Sequence, residues 1–473
     1  MSSRSMIYPS RRLSVAQNLP FDVLSEIYQY LPDLDLPNNL EAEVISPKTG
    51  PYILRPNQYP WSLTRICSSW RYAAMYEPCL WTRVHLEVNS RPVPPGKVKL
   101  LQTYLSRSNA RNLAVSIHCT FSGQVEHNPL LSAILPTCPR WKFFSLHVLD
   151  TSVLLFKPLR GNLPTLQVLH LYVAHQAQTP SLTATHNMFE HAPRLHTIRF
   201  RNSEDRSTFI MPYHNDRLRL YQGPTSSIPR DRSLEWMGNL RWCAIAANLT
   251  IRFDSGTSVT APLLKELSIH ERLQPFRTRA LMDILTVPNL EILRVRAAGH
   301  IQLSLGILGL LQRSMCATTL TQVCLDIPDL AGSYMLDVLS NIPYVVTLRL
   351  TAKRMLPGFC NRWIYDPETH RDNPCILRYL ENLDLGRCTF TPNAELALLD
   401  FVQSRWVVGD AEEGGMTPEK YFAGPMNHSV QRLKMFGVPY KYQRTKRSRK
   451  KVLKIWKKQG LEIVFGSGNQ NRL

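Results

Sequence analysis

Residues capable of covalent or metal chemistry occur in this sequence, but not at the spacings that reactive sites require. The 10 cysteines are scattered and include no Cys-x-x-Cys pair, so the sequence predicts neither a zinc site nor a dithiol redox motif. The 14 histidines are dispersed, and the phosphate-binding loop, the nucleophile elbow and the His-Glu-x-x-His pattern are all absent. We therefore expect a protein that is not an enzyme and that has no cofactor and no metal.

Non-covalent recognition of an anion is a chemistry that the arginines of this sequence could perform. Arginine binds carboxylates and phosphates in a bidentate geometry, and several arginines fall on predicted strands at positions that should face away from the core. An acidic or phosphorylated segment is the ligand that they would suit, whereas a chance surplus of arginine on an exposed face is the alternative. The candidate binding residues are His170, Tyr172, Arg199, Arg201, Arg294, Arg296 and Arg349.

Positive charge is concentrated near one end of the chain. The net charge is +20, and residues 420–461 contain 13 Lys or Arg and no Asp or Glu. The run at 446–451 has the composition of a nuclear import signal or a polyanion-binding segment, or it is the solvated face of the helix predicted to follow it. Tyr440, Tyr442 and Trp456 do not alternate as a base-stacking platform would, so we do not expect nucleic acid to be the partner.

A weak internal repeat must supply the strands that position these side chains. Each unit has apolar residues at its first, fourth and sixth positions, often with a proline two residues before the first. Starts mostly lie 24 to 30 residues apart, as from 240 to 264 and from 290 to 320, which is the leucine-rich repeat period. The nine units begin at Trp141, Leu166, Leu195, Leu240, Leu264, Leu290, Leu320, Val345 and Leu380.

Strand geometry explains this spacing. Residues two apart in a strand share a face, so the second and third apolar positions of each unit should point into one core. The stretches 281–285 and 335–339 are suited to helices between strands, and near the C-terminus a helix through Trp456 should lead into a strand at 461–465. An ordinary α/β domain with parallel strands is the alternative to a repeat array.

Two apolar segments precede the repeats. Residues 19–31 carry apolar side chains at helical spacing, and a second segment beginning at Pro60 predicts one continuous helix, since its apolar residues fall at i, i+3, i+4, i+7 and i+11. Helices this short are marginal in water, so they should require tertiary or partner contacts. The apolar residues of the second segment are Leu63, Ile66, Cys67, Trp70 and Ala74.

In their order, these segments and the Leu80-Trp81 pair that follows them resemble the F-box-like domain of large fungal protein families. The repeats are similar to the degenerate leucine-rich repeats of F-box proteins. The resemblance implies short helices that bind a Skp-type adaptor, which links the chain to a cullin scaffold and a ubiquitin ligase; a helical subdomain packed on the rest of the chain is the alternative. The residues that it assigns to adaptor binding are Leu19, Pro20, Leu24, Ile27, Ile66, Cys67, Trp70, Leu80 and Trp81.

The expected protein is α/β (α+β overall), with a small N-terminal all-helical F-box followed by a leucine-rich-repeat-like solenoid. We expect a disordered tail at 1–17, an F-box-like domain at 18–90 with a loop insertion at 33–59, the solenoid at 91–430, and a basic helix with a capping strand at 431–473. The expected function is substrate recognition for a cullin-RING ubiquitin ligase. A ligase-independent protein-binding scaffold and a basic nuclear protein associated with nucleic acid are the alternatives.

Targeting signals are also absent from the sequence. The N-terminal residues lack the apolar core of a secretory signal, and no apolar stretch approaches the roughly 18 residues needed to cross a bilayer. We therefore expect an intracellular protein, cytoplasmic or nuclear or both, without a membrane partner.

Overall fold

The computed structural model describes residues 19–30, 54–55, 57–119, 128–174, 185–202, 208–211, 216–224, 234–247, 258–271, 275–297, 301–328, 332–353, 355, 357–364, 376–405, 433–439, 447–458 and 460–466. The predicted tail at 1–17 and most of the predicted insertion at 33–59 lie outside these ranges. The chain is an α/β protein that divides into two compact units, Met1–Asn215 and Asp216–Leu473. This division falls inside the predicted segment 91–430, and the N-terminal helices belong to the same unit as the first strands.

The first unit begins with short helices and continues as parallel strands. Its strands β1, β2, β3, β4 and β6 pair in that order, each parallel to the next, and β5 pairs separately with β7. The α-helices are α1 (Phe21–Tyr30), α2 (Ser68–Tyr76), α3 (Pro95–Arg107) and α4 (Pro129–Ile134). The 3-10 helices are Trp61–Arg65, Pro78–Trp81, Leu135–Arg140 and Asp150–Leu159. The strands are β1 (Arg83–Val88), β2 (Leu113–Cys119), β3 (Trp141–Leu149), β4 (Val168–Ala174), β5 (Thr185–His186), β6 (Thr197–Asn202) and β7 (Thr208–Phe209).

Two predictions for the N-terminal region need correction. The segment after Pro60 is not one helix: a 3-10 helix ends at Arg65, Cys67 is extended with φ −158° and ψ 179°, and α2 begins at Ser68. Both helix types bring residues three apart onto one face, so the apolar spacing did not distinguish them. The helical region also ends at Trp81 rather than at 90, because the alternating apolar residues of 83–88 form β1.

The second unit repeats one strand arrangement along the chain. Strands β8, β9, β11, β13, β14, β15, β16, β17 and β18 pair in that order, all parallel, and β10 pairs separately with β12. The strands are β8 (Leu220–Pro224), β9 (Trp242–Ala247), β10 (Val259–Thr260), β11 (Glu266–Glu271), β12 (Leu285–Thr286), β13 (Ile292–Arg296), β14 (Gln322–Asp326), β15 (Thr347–Thr351), β16 (Asn382–Asp384), β17 (Met435–Pro439) and β18 (Glu462–Gly466). The α-helices are α5 (Pro275–Ile284), α6 (Ile301–Ser314), α7 (Gly332–Ser340), α8 (Pro357–Asn361), α9 (Pro392–Arg405) and α10 (Arg447–Lys458), and the 3-10 helices are Leu234–Asn239 and Cys316–Thr318.

A strand lies within each of the nine predicted repeat units. Leu267 on β11 is in register with Leu293 on β13, and both are buried, as are Ile269 and Val295 two residues further on. The second and third apolar positions of the units therefore share one face of the sheet. The helices predicted at 281–285 and 335–339 lie in the regions of α5 and α7, and the predicted C-terminal helix and strand correspond to α10 and β18.

One glycine in the main sheet of the second unit allows a close approach between strands. Gly437 on β17 lies opposite Asp384 on β16, and a Cβ at Gly437 would lie 2.6 Å from the Asp384 Oδ1. That carboxylate accepts a hydrogen bond from the Gly386 backbone N–H at 2.8 Å. The absence of a side chain at Gly437 thus leaves room for this carboxylate.

Candidate docking surface and anion-binding strands

The N-terminal helices pack on one another through a small set of buried side chains. Leu24 and Tyr28 of α1 are fully buried, as are Ala73 and Ala74 of α2. The Tyr28 ring lies 5.8 Å from the Trp70 ring in an edge-to-face arrangement. Positions 24 and 28 are four residues apart, so one narrow face of α1 is used for this core.

Polar contacts fix the same helices to the turn that follows them. The Ser25 hydroxyl donates to the Glu77 carboxylate at 2.6 Å, and the Cys79 thiol donates to the Tyr28 carbonyl at 3.4 Å. Burial, together with the neighbouring Glu77, raises the pKa of Cys79 to about 12, so this thiol stays protonated and able to donate at neutral pH. These bonds hold α1 against the segment that leads into β1.

An aromatic cluster joins the helices to the first strand and to α3. The Trp81 ring lies 4.9 Å from the Trp61 ring and 5.2 Å from the Tyr104 ring, and the Arg107 guanidinium carbon lies 4.6 Å from the Trp81 ring centre. The indole N–H of Trp81 donates to the Ala74 carbonyl at 2.8 Å. The Tyr104 hydroxyl donates to the Arg83 carbonyl at 2.7 Å. These contacts within the chain hold the N-terminal helices in place without a partner.

Large apolar side chains remain exposed on these helices even though their core is complete. Of the seventeen large apolar residues that are exposed in the described part of the chain, eight belong to this short region. We call these eight the N-terminal apolar surface: Phe21, Val23, Ile27, Tyr30, Ile66, Tyr72, Met75 and Tyr76. Monomeric proteins rarely expose apolar side chains in such density unless a partner covers them.

The N-terminal apolar surface contains two ordered groups. Val23, Ile27 and Tyr30 follow one another on α1 at i, i+4 and i+7 and form a stripe. On α2, the Tyr72 ring lies 4.5 Å from the Tyr76 ring, and the Phe21 ring of α1 lies 5.8 Å from Tyr72. Both groups consist of side chains that the packing core does not use.

The structure sorts the nine residues predicted to bind the adaptor. Leu24, Leu80 and Trp81 are at most 1% exposed, which corrects their predicted role, because a side chain inside the core cannot contact a partner. Pro20, Ile27 and Ile66 are exposed, whereas Leu19, Cys67 and Trp70 are half-buried. The prediction omitted Phe21, Val23, Tyr30, Tyr72, Met75 and Tyr76, although the i, i+4 pair of tyrosines on α2 was visible in the sequence.

The candidate anion-binding residues fall on the two units, and those of the first unit line one face of its sheet. Tyr172 of β4 lies in register between His147 of β3 and Arg201 of β6, and His170 lies in register with Arg199. The His147 and Tyr172 rings are stacked at 5.0 Å. We call the face that carries these residues the first-unit polar face; the opposite face holds buried residues such as Leu169 and Leu171.

His147 and His170 of this face are held in the neutral form. Burial, followed by the neighbouring His118, His85 and Arg201, lowers the pKa of His147 to about 4. Burial is also the main reason why the pKa of His170 is lowered to about 4, and Arg199 is the charged neighbour that lowers it most. At pH 7 both imidazoles are therefore uncharged hydrogen-bonding groups.

The candidate arginines of the second unit are already paired with acids. Arg294 forms an ion pair with Glu266, Arg296 Nε lies 3.2 Å from an Asp326 oxygen, and Arg349 Nε lies 3.0 Å from an Asp384 oxygen. The Glu266 and Arg294 side chains are largely buried. An acidic ligand would have to compete with these carboxylates, and the role of Arg294, Arg296 and Arg349 in client binding stays a prediction.

The C-terminal helix α10 has an apolar side and a basic side. Leu453 and Trp456 are buried, whereas Lys454, Lys457 and Lys458 are exposed together with Ile455. The backbone of 447–451 lies in α10, and residue 446 of the predicted basic run lies outside the described residues. Where side chains are described, the lysines lie on the solvated side of this helix.

The described residues contain neither a metal-binding cluster nor a helix that could span a membrane. Among the described residues, no three His, Cys, Asp or Glu side chains are grouped as a metal ion would require. None of the helices in the described ranges combines the length and the hydropathy needed to cross a bilayer. No protein-family model matches the chain, and no curated protein matches it.

Proposed function

We propose that this protein is the substrate-recognition adaptor of a cullin-RING ubiquitin ligase. In this proposal the helices from α1 to Trp81 act as a small F-box that binds a Skp-type adaptor. The strands and helices that follow act as a leucine-rich-repeat-like solenoid that binds a client protein. The chain itself carries out no covalent step, so its contribution to ubiquitin transfer is proximity.

The N-terminal apolar surface is the observation that carries this proposal. Its side chains lie on the same short helices whose sequence resembles an F-box, and the helices are already anchored by the Trp81 cluster. When a partner covers apolar area that is exposed on helices already held in place, binding is favoured by about 25 cal/mol per Å². A partner protein that presents an apolar surface, as the resemblance implies for a Skp-type adaptor, fits this region.

The strand arrangement supports the second half of the proposal. Within each unit, neighbouring strands of the main sheet are parallel and follow the order of the chain, and the strands recur at the leucine-rich repeat period. Such an array presents one sheet face as a row of side chains that helices do not cover, which is a surface suited to a client. Holding the client near a ubiquitin carrier raises their effective concentration.

Co-purification with a recombinant Skp-type adaptor tests this proposal. The tagged 473-residue chain should retain the adaptor stoichiometrically, and Ile27→Asp should abolish retention because it places a charge within the exposed stripe of α1. Leu396→Asp is the matched control, since Leu396 is an exposed apolar residue on α9 of the second unit. Leu24→Asp is a poor test, because Leu24 lies in the core and its substitution would unfold the helices.

Three outcomes of this experiment are informative. Capture that is lost with Ile27→Asp and kept with Leu396→Asp supports the ligase adaptor. Failure of the unsubstituted chain to capture any Skp-type adaptor favours the ligase-independent scaffold. Equal capture by both variants, with unchanged circular dichroism spectra, would show that the N-terminal apolar surface does not bind the adaptor.

A further inference from the structure

The first-unit polar face carries a charge arrangement that differs from that of the second unit. One row crosses five strands in register and consists of Glu87, His118, His147, Tyr172 and Arg201. The row beside it consists of His85, Ser116, Ser145, His170 and Arg199. The charged or titratable groups of this face are thus Arg83, His85, Glu87, His118, His147, His170, Tyr172, Arg199 and Arg201.

Charge is separated along the first of these rows. Within the described strands of the first unit, Glu87 is the acidic residue on this face, and it lies four strand steps, or about 19 Å, from Arg201. Arg201 is exposed, and none of the ion pairs between described residues involves it. In contrast to Arg201, the arginines Arg294, Arg296 and Arg349 of the second unit have carboxylates on neighbouring strands.

Aromatic and imidazole rings pack in two groups on the strands that precede β6, which carries the two arginines. The His118 and His147 rings are 5.4 Å apart, the His147 and Tyr172 rings are 5.0 Å apart, and the Phe143 and His170 rings are 5.0 Å apart. Rings packed in this way are held in place, so the N–H and O–H groups along their edges have restricted directions. A pre-ordered set of donors lowers the entropic cost of binding.

We propose that the part of the first-unit polar face formed by β3, β4 and β6 binds an anionic side chain of a client peptide. Arg201 and Arg199 hold its carboxylate or phosphate, Tyr172 and His170 border it, and its binding is accompanied by uptake of a proton at His147 or His170. The inference rests on the proposed function only in naming the bound peptide a client.

The number of cations on this face favours a peptide over a nucleic acid. Because His147 and His170 are neutral at pH 7, Arg199 and Arg201 carry the formal charges on this face among the described residues of β3, β4 and β6. Two guanidinium groups suit one or two anionic groups. A nucleic acid backbone is bound through about 6 to 10 phosphate contacts, which the described residues of these three strands do not provide.

Proton uptake follows from the position of the histidines. Burial is the largest cause of the lowered pKa of His147 and His170, and Arg199, Arg201 and the other imidazoles lower it as well; an anion placed among these groups favours the charged imidazole and so opposes both effects. If the anion restores an imidazole to its ordinary pKa of about 6.5, affinity rises about fourfold between pH 8 and pH 6 for each imidazole. Glu87 lies at the far end of the row and does not compete with the anion.

Fluorescence anisotropy with rhodamine-labelled peptides tests the inference on the purified 473-residue chain. One probe carries four glutamates, whose carboxylates stay ionised from pH 6 to pH 8, and the second carries a single phosphoserine. Arg199→Gln with Arg201→Gln should weaken binding of at least one probe by tenfold or more. The matched control, Arg294→Gln with Arg296→Gln, should leave it within twofold, since those arginines are paired with acids.

The pH dependence of binding tests the role of the imidazoles separately from that of the arginines. The glutamate probe should bind at least fourfold more tightly at pH 6 than at pH 8, and His147→Gln with His170→Gln should remove that difference. If the variant with both Arg199→Gln and Arg201→Gln does not fold, the single substitution Arg201→Gln, at an exposed position, replaces it. The inference is overturned if neither peptide binds with a dissociation constant below about 1 mM, or if only a single-stranded oligonucleotide binds. It is also overturned if the arginine variants bind as tightly as the unsubstituted chain, or if affinity is independent of pH.

Failure here is distinguishable from failure of the proposed function. A chain that captures the Skp-type adaptor but does not bind either peptide retains the proposed function and loses this inference. A chain that binds the peptides through Arg199 and Arg201 but captures no adaptor retains this inference as a property of a scaffold.

Discussion

Removal of the two exposed tyrosines of α2 should weaken adaptor binding strongly with little effect on folding. Tyr72 is 58% exposed and Tyr76 is 61% exposed, so most of each ring is free to contact a partner. The perturbation is the double substitution Tyr72→Ala with Tyr76→Ala in the 473-residue chain. Aromatic side chains of this kind are the residues that most often dominate binding energy at interfaces.

The expected magnitude follows from the exposed area. A tyrosine side chain buries about 200 Å², so about 60% of it corresponds to about 120 Å² and to about 3 kcal/mol if a partner covers all of it. If half of that area is covered, each ring contributes about 1.5 kcal/mol, and the pair contributes about 3 kcal/mol. Loss of 3 kcal/mol weakens binding by about 100-fold.

Isothermal titration calorimetry with a purified Skp-type adaptor measures this difference directly. Leu305→Ala with Leu396→Ala is the control, because both are exposed apolar residues on helices of the second unit and are 44% and 51% exposed. The control should bind as the unsubstituted chain does. Thermal unfolding of the tyrosine variant should begin within a few degrees of the original temperature, since the ring contacts that are lost contribute about 1 kcal/mol each.

A single result would refute the reasoning. If the tyrosine variant is folded and binds the adaptor within threefold of the unsubstituted chain, then the exposed rings of α2 are not part of the interface. Combined with unchanged capture by Ile27→Asp, that result would leave both groups of the N-terminal apolar surface without a role in adaptor binding.

Other expected outcomes concern stability. Gly437→Ala should lower the free energy of unfolding by about 1–3 kcal/mol, because the added methyl would collide with Asp384; an unchanged urea midpoint contradicts this. Trp81→Phe should cost about 1–3 kcal/mol by leaving a buried carbonyl of α2 without its donor, and thermal melts measure the loss. The folded-state pKa values of His147 and His170, about 4, lie below their ordinary 6.5, so the unfolded chain binds more protons between these values. Stability should therefore fall as the pH drops from 7 to 4.5, and replacing both histidines with Gln should make that fall smaller in parallel denaturation curves.

The positions of the strands were predictable because the signal for them is local. Buried pairs such as Leu267 with Ile269 and Leu293 with Val295 lie two apart in the sequence, and that spacing alone assigns them to one face. The break at Cys67 was not predictable, since apolar residues three and four apart are compatible with one helix or with two. The strand β1 was missed although its residues alternate, because it follows closely on helical segments.

The candidate sites were less predictable because their definition depends on distant contacts. The sequence alone could not separate Leu24, which packs against α2, from Ile27, which is exposed, since both lie on the apolar side of one helix. Similarly, Arg349 and Asp384 are 35 residues apart in the sequence, and only the pairing of β15 with β16 brings them to 3.0 Å. Arg201 on β6 differs from Arg349 because the residue in register with it on β4 is Tyr172 and not an acid.

The parallel strand order within each unit has a consequence for how such a chain can change in length. Each strand in the main sheets pairs with strands that lie close to it along the chain. A duplicated stretch containing one strand and its connection could therefore be inserted beside its parent without rerouting any other connection. Gene duplication and deletion could lengthen or shorten the sheet one step at a time, and each step would shift which side chains lie next to one another on its polar face.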